Sequence, residues 1–189
     1  MSIRITTDST CDLGESIQKR GIGVVPLSVI LGPKTYKDGI DIVPQDIFSY
    51  VAKTNELPKT AAPSIGDYED FFRPYVENGD TVIHFNISSK SSSSYSSAVG
   101  AAKLFGDKVH IVDSKALSSG QGLLVMKACD LAEEGKSAEE IVNTVNILRD
   151  KVNTSFIPDR LDYLFKGGRC SRMQMYGANI LKIHPMITM

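Results

Sequence analysis

Tryptophan is absent from the 189 residues, and histidine and cysteine occur only three times each. Cys11, Cys129 and Cys170 are odd in number and lack CxxC spacing, so neither a disulfide framework nor a zinc ribbon organises this chain. Reduced thiols are the simplest state. His84, His110 and His184 are far apart, and the first two sit in apolar strand-like runs where a core imidazole is expected rather than a ligand. No metal site and no cofactor are expected. No run approaches the roughly 20 apolar residues of a membrane span, and the start MSIRITTDST lacks the apolar region of a signal peptide. Charge of one sign is missing too: 21 Lys and Arg stand against 22 Asp and Glu, interspersed, with no basic face for a nucleic acid. These absences leave the cytoplasm as the default compartment. What is present, 42% hydrophobic and 23% charged residues, suits one substantial core and part of a second.

Short apolar runs alternate with helix-type segments. Residues 3–6 read as a buried strand that stops in the polar Thr7-Asp8-Ser9-Thr10-Cys11-Asp12, and a helix over 13–20 follows, closed by Gly21. Residues 22–31 read as a second strand, in which Pro26 marks an edge or a bulge, and Gly32-Pro33 turns the chain. The alternation over 36–42 around Asp38-Gly39 predicts a small hairpin. A short amphipathic helix is expected over 44–52, with Pro44 in its first turn. Pro63 holds residues 60–62 extended and so presents Thr60, while Ser64 with Asp67 predicts a capped helix over 65–78.

Further on, residues 108–112 form another expected strand, ending in Asp113-Ser114-Lys115. A helix over 117–134 carries Gly120 and Gly122 in its first turns, where a side chain would obstruct whatever lies against the backbone. Ser137-Ala138-Glu139-Glu140 opens a last helix, to about residue 151. The alternation predicts an α/β fold, a partly parallel sheet flanked by helices, with ligands bound at the carboxyl edge of the strands. Near residue 154 the character changes. Residues 1–153 read as one α/β domain and 154–189 as the incomplete beginning of a second. In that second part Lys166-Gly167-Gly168-Arg169 is a tight turn presenting an arginine, or a plain solvated turn, and 179–188 reads as a strand.

The most informative stretch runs from Thr81 to Gly106, TVIHFNISSKSSSSYSSAVGAAKLFG. Residues 81–87 are of strand type, and from about Tyr95 the chain is Ala-rich and favours helix. Six serines crowd the junction, at 88, 89 and 91–94. Unpaired amides at a helix start, the helix dipole and donating hydroxyls together suit an anion, although serine is also an ordinary cap and loop residue. The loops at Asp8-Ser9, 88–94 and Asp113-Ser114 all follow expected strands, so the fold would gather them. That makes Asp8, Ser9, Ser92, Ser93, Ser94, Asp113 and Ser114 candidate site residues.

In order and spacing, the chain resembles the DegV family of fatty-acid-binding proteins, the binding subunits of bacterial fatty acid kinase systems. The resemblance is carried by Thr6-Thr7-Asp8-Ser9-Thr10-Cys11-Asp12-Leu13, Val24-Val25-Pro26-Leu27, Tyr36-Lys37-Asp38-Gly39, the loop from Thr60 to Ser64, Ile87-Ser88-Ser89 leading to Tyr95, Val112-Asp113-Ser114, and Lys166-Gly167-Gly168-Arg169. It implies that Thr60 and Ser92 hydrogen-bond the carboxylate of a long-chain fatty acid. It implies also that Arg169 acts near a kinase partner, and that this partner, not the chain itself, phosphorylates the carboxylate to an acyl phosphate. No catalytic residue is then expected here. Two departures stand out. The family's Leu-Ser-Gly-Thr-Tyr is Ser91-Ser92-Ser93-Ser94-Tyr95 here, which would strain the loop if φ at Ser93 were positive. The resemblance also implies a longer second domain that helps enclose the acyl chain and adds a histidine near the carboxylate, so the chain reads as truncated there. Two other readings of the same junction stay open: Ser92 as the nucleophile of a hydrolase, for which no His-Asp pair is evident, and a site for a small phosphorylated metabolite.

Overall fold

The computed structural model of this chain describes residues 2–181 and 183–188. In chain order the strands and helices are β1 (Ile3–Asp8), α1 (Ser16–Lys19), β2 (Gly23–Val25), β3 (Ser28–Leu31), β4 (Lys34–Lys37), α2 (Pro44–Thr54), β5 (Lys59–Ala61), α3 (Ile65–Glu77) and β6 (Thr81–Asn86). They continue with α4 (Ser94–Ala102), β7 (Val109–Asp113), α5 (Ser118–Glu133), α6 (Ala138–Arg149), β8 (Ser155–Phe156), α7 (Asp162–Lys166), α8 (Arg172–Leu181) and β9 (Ile187–Thr188).

Four strands form a parallel sheet in the order β2-β1-β6-β7. The pleat of β6 explains its nearly unbroken apolar run. Ile83 and Phe85 point into one core with α5 and α6 residues such as Leu124, Val125, Ile141 and Val145. Val82 faces the other way, into a core with Tyr68, Phe72, Ala98 and Ala101 of α3 and α4. His84 shares that second face and is enclosed by the rings of Tyr68, Phe71 and Phe72. The expected α/β class and the parallel sheet with flanking helices are therefore what the chain forms.

A second, antiparallel sheet, β4-β3-β5, lies outside this frame and carries a small core of its own, Val29, Leu31 and Ile42. Here two expectations are corrected. The run 22–31 is two strands in two sheets, because Pro26 interrupts the ladder and lets β3 leave the parallel sheet. The hairpin lies around Gly32-Pro33, between β3 and β4, with Gly32 at φ +57°. Residues 38–42 instead close a turn in which the Lys37 carbonyl accepts from the Ile40 and Asp41 amides.

The helix expected over 13–20 shrinks to the single turn of α1, preceded by a 3-10 turn, Ser9–Cys11. Gly21, at φ +61°, ends it as expected. The capped starts hold: Ser64 and Asp67 bond reciprocally at α3, and Ser137 and Glu140 do so at α6. The last correction concerns 179–188. Through Leu181 this run continues α8, and its strand is only β9, paired with β8; Lys182 lies outside the described residues.

Candidate functional site

In the strand order β2-β1-β6-β7 the chain direction across the sheet reverses between β1 and β6. Their carboxyl ends splay apart at that point, which is where open α/β sheets place ligands. In this protein Asp8 fills the gap. Its Oδ1 accepts from Thr10 N (3.2 Å), Thr10 Oγ1 (2.6 Å) and Gln121 Nε2 (2.9 Å), and its Oδ2 accepts from Ile87 N (2.8 Å) and Asn86 Nδ2 (3.3 Å). Five neutral donors thus hold a fully buried carboxylate. Asp8 pins the end of β6 to the end of β1 and sends the chain into the serine loop.

The loop is then tied down residue by residue. Ser88 N donates to Ala116 O at 2.8 Å, and the Ser88 carbonyl accepts from the amides of Ser91 and Ser92. Ser89 donates through its amide (3.1 Å) and hydroxyl (2.6 Å) to the two oxygens of Asp113, which also takes Lys115 N at 3.0 Å. Ser114 caps its own turn, with its hydroxyl between Ala116 O and Ala116 N. Ser9 is occupied elsewhere, donating to Asp38 Oδ2 (2.7 Å) and accepting from Leu27 N (3.1 Å). Asp8, Ser9, Asp113 and Ser114 are therefore gathered at the sheet edge as expected, and each is spent on holding loops in place.

What remains open lies at the start of α4. A cavity of about 470 Å³ is lined by residues 89–93, Tyr95, Ser96 and Arg169. Ser92 Oγ accepts from Ser94 N at 3.2 Å, which leaves its proton to donate. Ser93 sits at the N-cap position with φ −76°, so serine in place of the family's glycine causes no strain. The serines cap less than expected: Ser93 makes no side-chain cap, and the Ser92 hydroxyl supplies one instead. Ser94 is buried, its hydroxyl 2.9 Å from that of Tyr68. The amides of Tyr95 and Ser96 belong to the first turn of α4, whose N–H groups the helix itself does not satisfy.

Arg169 joins this cavity from far along the chain. It follows Gly168, whose φ of +78° only glycine adopts freely, and its guanidinium folds back onto the Gly167 carbonyl while Nη2 reaches Ser91 O at 3.3 Å. The turn is thus a device for presenting Arg169 to the serine loop. With Lys90 on the same rim, the cavity combines a free hydroxyl, helix-start amides and two cations. Thr60 lies elsewhere, exposed on β5 opposite Val29 of β3, and does not line the cavity. The structure brings Ser92 and Arg169 together and leaves Thr60 on the neighbouring sheet.

The remaining titratable groups have structural settings. Burial lowers the His84 imidazole to about 3, and Nδ1 contacts Thr6 Oγ1 at 2.9 Å. Burial also raises the thiols of Cys11 and, to about 11, Cys129. The Cys11, Cys129 and Cys170 thiols are free. Among the described residues no cluster of His, Cys, Asp or Glu could hold a metal ion, and no helix is long and apolar enough to cross a membrane. Sequence reasoning missed Tyr68, Asn86 and Gln121, the buried partners beneath the loop. Their spacing in the chain carries no signal, because strands and helices distant in sequence bring them together.

A family model described as an uncharacterised protein of the DegV family matches residues 2–189. A DegV domain-containing protein of Caldanaerobacter subterraneus is 37% identical over 188 residues, which cover 98% of this chain and 67% of that one. One from Clostridium acetobutylicum is 40% identical over 183 residues, covering 96% and 66%. The chain belongs to the DegV family and spans about two thirds of the length of these relatives. Among solved structures, a fatty-acid-binding DegV family protein from Thermus thermophilus superposes with a TM-score of 0.90 at 35% identity, covering all of this chain and 68% of that one. A stearic-acid-binding protein from Eubacterium ventriosum gives 0.89 at 34%, again with the whole chain and 67% of the other covered. The B3 protein of the Streptococcus pneumoniae fatty acid kinase, loaded with linoleic acid, gives 0.86 at 26%, covering all of this chain and 68% of that one.

Proposed function

We propose that this protein binds a long-chain fatty acid, holding the carboxylate with Ser92 at the start of α4 and with Thr60 from the neighbouring sheet, outside the lining of the serine-loop cavity, and presents it to a separate fatty acid kinase that converts it to an acyl phosphate. The observation that carries this reading is the cavity at the start of α4, where the Ser92 proton, helix-start amides and Arg169 converge on a space suited to a small anion. Neighbours of the same fold are described as binding fatty acids, and one of them as part of a fatty acid kinase. In this reading Arg169 lies at the headgroup and faces the phosphate donor. The tail supplies most of the affinity. Roughly fourteen methylenes at about 0.8 kcal/mol each come to about 11 kcal/mol gross, while the polar contacts fix the orientation.

Ser92 accepts a main-chain N–H and has no imidazole bonded to it, and His84 contacts Thr6. This favours a headgroup donor over a hydrolytic nucleophile. The direct test is organic extraction of the purified, denatured protein followed by mass spectrometry, together with titration of a fatty acid into the delipidated protein. Co-purified fatty acid and saturable binding are expected. Ser92→Ala and Thr60→Ala should each weaken binding by about 1–3 kcal/mol. Folded protein that neither carries nor binds fatty acid would refute the reading, and full affinity in either variant would remove that residue from the headgroup site.

A further inference from the structure

The hydrogen bonds beneath the serine loop have fixed directions, which diverge from the Asn86 amide toward Asp8 on one side and Tyr68 on the other. Both oxygens of Asp8 already accept main-chain amides, Oδ1 from Thr10 and Oδ2 from Ile87. Asn86 therefore offers Asp8 its amide nitrogen, at 3.3 Å, and the orientation of that amide is settled even though its own Oδ1 is buried without a partner. The second Nδ2 hydrogen goes to the Tyr68 hydroxyl, at 2.8 Å. A phenol oxygen that accepts there still has one proton to place, and its other neighbour is Ser94 Oγ at 2.9 Å. Tyr68 therefore donates to Ser94. Desolvation raises the Tyr68 phenol far above its usual range, so that proton stays on. The main-chain amide of the same Ser94 donates to Ser92 Oγ, so whatever seats the Ser94 side chain also seats the Ser92 hydroxyl.

The side chains of Asp8, Tyr68, Asn86 and Ser94 are fully buried. Packing alone would not call for a hydroxyl at position 68, because Phe71 and Phe72 line the same core with plain rings. A buried hydroxyl that no partner needed would only add a desolvation cost.

We infer that Asp8, Asn86 and Tyr68 form a hydrogen-bond relay, with Asn86 donating to both sides, that fixes the start of α4 through Ser94 and thereby holds Ser92, which accepts the Ser94 main-chain amide, with its proton toward the headgroup, so that an anionic carboxylate is favoured over an uncharged headgroup. Tyr68 is then a positioning residue for specificity. It touches no ligand and acts through Ser94 and Ser92. The inference rests on the fatty acid reading above and adds to it the source of headgroup discrimination.

The test compares palmitic acid with hexadecan-1-ol, ligands with the same tail and different headgroups. Tyr68→Phe keeps the ring and removes the relay's central hydroxyl. It should weaken palmitate binding roughly five- to tenfold while leaving hexadecanol affinity unchanged. Ser94→Ala, which leaves α3 untouched, should give the same selective loss, and the double variant should lose no more than either single one. Should Tyr68→Phe fail to fold, Ser94→Ala decides alone. Equal losses for acid and alcohol, or no loss for either, overturn the relay while the fatty acid reading stands. A wild-type protein that binds no palmitate overturns both.

Discussion

His84 sits fully buried on β6 between three aromatic rings, with burial lowering its pKa from 6.5 to about 3. In the unfolded chain the same imidazole takes up a proton below about 6.5, while in the folded chain it does so only near 3. The unfolded state therefore binds more protons throughout that window, and stability falls as pH drops from about 6.5 toward 3. The loss approaches roughly 1.4 kcal/mol per pH unit for one group. Carboxylates with lowered pKa values, such as Asp67 and Asp162, add their own loss only at lower pH. The interval from about pH 6.5 to 5 isolates the histidine. Urea midpoints measured across it should decline for the wild type and stay nearly flat for His84→Phe; equal slopes would show that His84 is not the titrating group. At this scale the polar interior is a set of specific bonds, and Asp8 is held the same way, by counted donors and without a cation.

Between elements, glycine decides how closely α5 approaches the loop after β1. A Cβ on Gly122 would lie 2.9 Å from the Cys11 carbonyl and 2.8 Å from Leu13 Cδ2, so backbone would have to move. Cys11 closes the 3-10 turn that begins beside Asp8, and the strain would reach the relay. Gly122→Ala should cost about 1–3 kcal/mol in urea unfolding despite the better helix propensity of alanine. Gly100→Ala should be nearly neutral by comparison, because its Cβ would meet only the flexible end of Ile65 at 3.0 Å. Equal stability of the Gly122→Ala protein and the wild type would contradict the close packing. Elements are also where the sequence was most and least legible. Capping boxes at Ser64 and Ser137, the Gly21 terminator and the two-faced apolar run of β6 announce themselves locally. The departure of β3 into a second sheet depends on which neighbour can accept its edge, and no short window encodes that. The serine junction was visible for a similar local reason, as a strand meeting a helix. Tyr68 and Asn86, 18 positions apart and on different elements, were not.

At the scale of the whole molecule, the three apolar cores found among the described residues draw on positions up to Val152, and beyond them the buried side chains among the described residues are Leu161 and Met175. We propose on this ground that the chain divides near residue 153. The packing refines it. A Cβ on Gly120 would come within 2.8 Å of Thr154, so Thr154 is seated against α5 and belongs with the first unit. After it come the two-residue strand β8 and a mostly exposed run to Arg160, whose side chain is 67% exposed. Few contacts would resist a local opening there. Limited trypsin treatment should therefore cut first after Arg160 and leave a resistant N-terminal fragment that contains Thr60 and Ser92 and lacks Arg169. That fragment should unfold in one cooperative transition. Its fatty acid affinity then reports what the segment after Arg160 adds at the cavity while the Ser92 donor, Lys90 and the relay remain, and Arg169→Ala in the whole chain separates the guanidinium from the rest of that segment. Affinity reduced roughly tenfold in that variant would assign Arg169 a direct headgroup contact, in keeping with a bond to a charged partner; unchanged affinity would reserve it for the kinase step. Initial cleavage within the parallel-sheet unit, or a fragment without cooperative unfolding, would show that the division lies elsewhere.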